Sequence, residues 1–124
     1  MPTPLNRIII FVADVQKCAN FYRKMFHFKA LPSIYLPADW QELDTGGCRL
    51  AFHKAHGAKG PIKKPTGSAS NPHKIVFFAK NVKAERTKLV NRGAKMGKIY
   101  GDATLALCDG QDPEGHRFQI SNRA

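Results

Sequence analysis

Apolar and polar positions along this chain set out a rhythm of short elements, and the rhythm then starts again. RIIIFV, residues 7 to 12, is an apolar run of strand length. VQKCANFYRKMF, residues 15 to 26, puts Val15, Cys18, Tyr22 and Met25 near one helical face, with Asp14 in front as N-cap. After a connection containing proline, strands are predicted around 30 to 36, in WQELD (40 to 44) and in CRLAFHK (48 to 54). Residues 55 to 72, AHGAKGPIKKPTGSASNP, carry no apolar period and predict a long loop. Beyond it come the strand KIVFFA (74 to 79), Asn81 as a cap, the helix VKAERTKLVNRG (82 to 93), and strands near AKMGKI, TLALC and HRFQI. The order of one strand, one helix and three strands occurs twice.

The two halves also align residue by residue. An offset of 67 pairs Asp14 and Val15 with Asn81 and Val82, and Arg7 with Lys74. An offset of 68 pairs GCRLAFH (47 to 53) with GHRFQIS (115 to 121). Such self-similarity is the signature of a duplicated unit. The reading is one domain, 1 to 124, built as module one (5 to 54), a loop (55 to 72) and module two (73 to 122).

Composition narrows the class. At 124 residues and 43% hydrophobic content the chain is long enough for its own core. No apolar run approaches the roughly 20 residues that span a bilayer, and IIIFV is too short for a signal-peptide core. Cys18, Cys48 and Cys108 are odd in number and widely spaced, which argues against a zinc cluster or a disulfide framework and for buried structural thiols in a reducing cytoplasm. The net charge is +11, concentrated in residues 51 to 124, where fourteen Lys and Arg face five acids. Such a field attracts anions. The basic residues are dispersed and not massed on one helix or an aromatic-studded strand, so nucleic acid is not the expected partner.

The opener IIIFVADVQKCANFYRKMFHF, the hairpin WQELDTGGCRLAFH and the ending DGQDPEGHRFQI together resemble the vicinal-oxygen-chelate superfamily, which groups glyoxalases, bleomycin-resistance proteins and extradiol dioxygenases. The resemblance spans nearly the whole chain. It implies an α+β fold of two βαβββ modules, whose mixed sheets curl into a cup with the helices outside, commonly in a homodimer. In metal-using members, His and Glu side chains from the first and last strands of the modules hold the ion. Transferred by position, those sites fall here on Arg7, Lys74, Ala51 and Gln119. Arg and Lys offer only donors, Ala has no ligand atom, and an amide oxygen is a weaker ligand than a carboxylate. No metal is therefore expected at the family positions. His73, one register step from Lys74, together with His53 and Glu42, forms the fallback set for a divalent metal ion.

Strand alternation places Ile9, Phe11, Arg49, Ala51 and His53 on the face of Arg7, and Val76, Phe78, Arg117, Gln119 and Ser121 on the face of Lys74. The expectation is a pocket for a small anionic or aromatic molecule, with Arg7, Lys74 and Gln119 as polar anchors and Phe11, Phe78 and Trp40 as walls. Glu42 is read as a partner for nearby cations, or as a general base. A metal-dependent lyase, isomerase or dioxygenase of the same superfamily is the alternative.

Overall fold

The computed structural model describes residues 1–55 and 72–124; apart from its two end residues, the predicted loop lies outside them. The described residues fall into two compact units, each holding one module. The first contains β1 (Arg7–Val12), α1 (Val15–Phe26), β2 (Lys29–Leu31), β3 (Trp40–Asp44) and β4 (Arg49–Lys54). The second contains β5 (Ile75–Phe78), α2 (Val82–Asn91), β6 (Lys95–Gly101), β7 (Ala106–Gln111) and β8 (Arg117–Ser121). Strand order is β1-β4-β3-β2 in one sheet and β5-β8-β7-β6 in the other. In both, the first and last strands of the module pair in parallel and the remaining pairs are antiparallel. The second unit thus repeats the connectivity of the first, and the α+β fold of two βαβββ modules with mixed sheets is present.

Both helices begin as the sequence predicts. The Asp14 carboxylate accepts from the Lys17 amide at 3.0 Å, and the Asn81 side chain accepts from the Ala84 amide at 3.0 Å, each satisfying a donor that the first helical turn leaves free. Val15, Cys18, Tyr22 and Met25 are buried on the inner face of α1, where Tyr22 meets Phe52 of β4 with ring centroids 5.3 Å apart. Val82 and Leu89 do the same work for α2. Each sheet therefore has one face against its helix, while the opposite face carries Ile9, Phe11, Val76 and Phe78, all at least 44% exposed. Burial alternates along β1 and β5 as the period-two pattern requires. Cys18 and Cys108 are buried and Cys48 is half-buried, all three as free thiols.

Two strand assignments need correction. The strand expected around 30 to 36 covers only Lys29–Leu31. Pro32 follows, with no N–H for a ladder, and the Ser33 hydroxyl accepts from the Tyr35 amide at 3.0 Å to start a turn. The strand expected in TLALC runs instead from Ala106 to Gln111, so it includes Asp109 and Gly110. Those residue types are poor strand formers, and they hid the second half of β7.

The two sequence offsets also find their cause. Between β3 and β4 the hairpin turn is Thr45–Cys48, whereas between β7 and β8 it is Asp112–His116, one residue longer. Up to β3 and β7 the repeat runs at 67; past the longer turn it runs at 68.

Candidate functional site

On the open face of the first sheet, β1, β4 and β3 lie side by side, with Ile9 opposite Ala51 and Ala51 opposite Glu42. Ala51 is fully buried and contributes only a methyl group. Across that gap Arg7 Nε donates to Glu42 Oε1 at 2.6 Å, and an Arg49 terminal nitrogen stands 3.7 Å from the same oxygen. The Glu42 side chain is 11% exposed, so a nearly buried carboxylate is held between two guanidinium groups. A charge-assisted bond of this length is stronger than a neutral one.

Beside this pair stands an aromatic row. His53 lies 5.5 Å from Phe11 and 5.6 Å from Trp40, centroid to centroid, and Trp40 lies 6.0 Å from Tyr35. The row continues into the loop 32–39, whose Ile34, Tyr35 and Leu36 are exposed. Gln16 on α1 donates to the Pro37 carbonyl at 2.7 Å and ties this loop to the helix. A concavity of about 890 Å³ opens here, lined by Arg7, Tyr35, Leu36, Trp40, Glu42 and His53 among others. Its size lies in the usual range for small-molecule sites.

The second sheet carries the counterpart. Lys74 Nζ stands 3.3 Å from both carboxylate oxygens of Asp109. Gln119 Nε2 donates to Asp109 Oδ1 at 3.1 Å and to the Tyr100 hydroxyl at 2.9 Å, and that hydroxyl donates to Asp109 at 3.3 Å. Asp109 is the repeat mate of Glu42 at an offset of 67, just as Lys74 is of Arg7. The role of Asp109 escaped sequence reasoning, although the offset itself contained the signal. Tyr100 carried none, since it stands at the far end of a strand whose register is irregular.

Of the residues expected to form a site, Arg7, Phe11 and Trp40 thus stand in the first unit, with His53 and Glu42 of the fallback set. Lys74, Phe78, Gln119 and His73 belong to the second. Phe78 is 62% exposed, and His73 is an exposed residue just before β5. Lys74, not His73, reaches the acidic partner.

A separate cluster forms the closing turn of the second module. Asp112, whose side chain is fully buried, accepts from the amides of Glu114 and His116 and lies 3.0 Å from the His116 ring Nδ1. That hydrogen bond holds the His116 pKa above the usual histidine value, against the opposing effect of burial. Burial raises the Cys108 thiol. Amides of Leu105 and Thr104 lower the Asp102 carboxyl.

The family model of the Glyoxalase/Bleomycin resistance protein/Dioxygenase superfamily matches residues 5–120. Comparison with curated protein sequences finds no match. Among solved structures, a glyoxalase/bleomycin resistance protein/dioxygenase family enzyme from Burkholderia phytofirmans PsJN superposes with a TM-score of 0.74 at 22% identity, over 96% of this chain and 98% of that one. The fosfomycin resistance protein FosX from Listeria monocytogenes gives 0.76 at 15% identity, over 98% and 93%. A lactoylglutathione lyase from Agrobacterium tumefaciens gives 0.71 at 16% identity, over 97% and 93%.

Proposed function

The chain belongs to the Glyoxalase/Bleomycin resistance protein/Dioxygenase superfamily, and on that premise we propose that it binds a small aromatic molecule on the open face of its first module without a metal at the family positions. One observation carries the reading: the row of Tyr35, Trp40, His53 and Phe11 runs beside the Arg7–Glu42 pair. A flat ligand gains by stacking on such rings, and the aromatic faces also favour neighbouring cationic groups. Arg7 is neutralised by Glu42, so the aromatic half of the expectation is favoured over the anionic half. Arg49 supplies the remaining positive charge for a polar substituent.

The donor chemistry supports the metal-free part. Arg7 and Lys74 hold carboxylates, Ala51 offers nothing, and the Gln119 amide is spent as a donor to Asp109 and Tyr100. These side chains do not fit a divalent cation. Among the described residues no group of three His, Cys, Asp or Glu is placed to hold one.

Trp40 is the chain's single tryptophan, so its fluorescence reports directly on the site. Titration with aromatic compounds should quench it saturably, and Tyr35→Ala should weaken the binding about tenfold. Absence of saturable quenching across an aromatic panel would sink the proposal. His53 and Glu42 line the same cavity, and this favours a metal-dependent lyase, isomerase or dioxygenase as the second reading. About one metal ion per purified chain, lost on replacing His53, would install it.

The proposal extends to a homodimer in the cytoplasm. Supporting it are the apolar Ile9 and Phe11 on an open sheet face, and the free thiols of Cys18, Cys48 and Cys108, which suit a reducing compartment. Sedimentation showing a monomer at micromolar concentration would remove the dimer.

A further inference from the structure

The second module has a concavity of its own, about 520 Å³, lined on the open sheet face by Lys95, Lys98, Tyr100, Asp109, Gln111 and Arg117. We propose that this concavity is an oxyanion site, built by a β-bulge in β6, for a small molecule bearing a dianionic group of the phosphate or phosphonate class. The proposal stands independently of the aromatic site in the first module.

The bulge explains why the cations are together. In a regular strand, positions 95 and 98 point to opposite faces, because their separation is odd. Here the pairing of β6 with β7 runs Met96 with Gly110 and then Ile99 with Cys108, so three steps on β6 face two on β7. The extra residue re-aims the strand, and both Lys95 and Lys98 line the same concavity. Lys95 and Arg117 are each paired with Gln111, so the three residues form a row across β6, β7 and β8.

The bulge is held from the helix side. The Gly97 carbonyl accepts from Arg86 Nε of α2 at 2.8 Å and from the Cys108 thiol at 3.3 Å. The lysines are thereby carried on a fixed stretch of backbone.

Charge accounting points to an anion. None of Lys95, Lys98 and Arg117 forms an ion pair among the described residues, and residues 56–71 contain no Asp or Glu. The one acid in the lining, Asp109, is already engaged by Lys74, Tyr100 and Gln119. Three free cations around one neutralised carboxylate suit a group carrying about two negative charges, such as a phosphoryl group at neutral pH. The planar Arg117 guanidinium supplies the two-pronged donor that such oxygens accept.

The test uses the full chain with phenyl phosphate and benzoate as probes, at constant ionic strength, followed by calorimetry and by backbone amide shifts. Phenyl phosphate should bind at least tenfold more tightly than benzoate and move the amides of residues 95–98, 110–111 and 117. Lys98→Ala and Arg117→Ala should each weaken it fivefold or more. Lys83→Ala removes the same charge from an exposed position on α2, across the sheet, and should change affinity less than twofold. Equal losses in the Lys83 and Lys98 variants would assign the binding to the overall +11 field and overturn the site. Equal affinity for benzoate, or shifts confined to other residues, would overturn it as well.

Discussion

The two modules place the same charges at the same repeat positions and reach different solutions. In the first, a cation on β1 meets an acid on β3 at 2.6 Å across Ala51; in the second, a cation just before β5 meets an acid on β7 at 3.3 Å beside Gln119. The side-chain exposures are 34% and 11% for Arg7 and Glu42, against 38% and 28% for Lys74 and Asp109. The difference lies with the fourth strand. Where it presents a methyl group, the guanidinium reaches the carboxylate directly and Arg49 joins it. Where it presents an amide, that amide and Tyr100 share the carboxylate with the lysine. On the helix side the modules differ in the same compensating way. Leu43 pairs with Leu50 in one, and their mates Gly110 and Phe118 pair in the other. A Cβ at Gly110 would lie 2.5 Å from both the Met96 sulfur and the Phe118 ring, so the glycine yields its volume to the phenylalanine.

Four experiments bear on this comparison. Leu43→Ala leaves a cavity in a fully buried site and should cost about 3 kcal/mol in chemical denaturation. Gly110→Ala should cost about 2 kcal/mol by overpacking; a neutral result would break the idea of exchanged volume. Next comes the ion-pair contrast. Glu42→Ala should cost about 2 kcal/mol, because it removes a hydrogen bond to a charged group and leaves two guanidinium groups adjacent. Asp109→Ala should cost less than about 1 kcal/mol, as expected of a more exposed pair. If the two costs prove equal, burial is not what separates the modules.

Helix ends give a third contrast. α1 stops at His27, which adopts a left-handed conformation with φ of 59°, whereas α2 passes through Arg92 to Gly93 with φ of 101°. His27→Gly should raise stability by about 1 kcal/mol, since a Cβ in that conformation is costly, and Gly93→Ala should lower it by a similar amount. Opposite signs in thermal melts are the check.

The smallest effect concerns the closing turns. His116 is raised above its ordinary pKa by Asp112. Its contribution is therefore complete below the unfolded-state value and is lost as pH rises through the folded one. The wild-type midpoint should fall between pH 6 and pH 8.5 more than that of His116→Gln, and identical slopes would remove the pair as a source of stability. The first module's turn closes through the Thr45 hydroxyl, which donates to the Cys48 carbonyl at 2.5 Å and does not titrate in this range.

Much of this fold was legible because the relevant signals are local. Asp14 and Asn81 mark their helices by a capping reaction that needs only three residues, and the spacing of Val15, Cys18, Tyr22 and Met25 follows from helical geometry alone. The repeat was legible for the same reason, down to the pairing of Arg7 with Lys74. Less legible was everything decided between strands. That Glu42 is shared by two arginines depends on the smallness of Ala51 one strand away, and that Asp109 lies on a strand at all depends on Gly110 being needed under Phe118. From sequence, Gln119 reads as a weak metal ligand or a polar anchor for a ligand. Its actual partners, Asp109 and Tyr100, come from β7 and β6, which no periodicity connects to it. Lys95 and Lys98 share a face only because of a bulge whose cause, the hold of Arg86 and Cys108 on the Gly97 carbonyl, lies on another element.

That bulge has a consequence for the fate of the protein at high concentration. β6 is an edge of its sheet, as β2 is of the other, and an open edge is a template on which foreign chains can add strands and seed aggregates. β2 avoids this by being three residues long and running into Pro32. β6, at seven residues, is long enough to be dangerous, and it carries an interrupted register and two lysines that would have to be buried against any strand docking there. Straightening β6 by deleting Gly97 should therefore do more than move a side chain: it should turn a well-behaved edge into a sticky one.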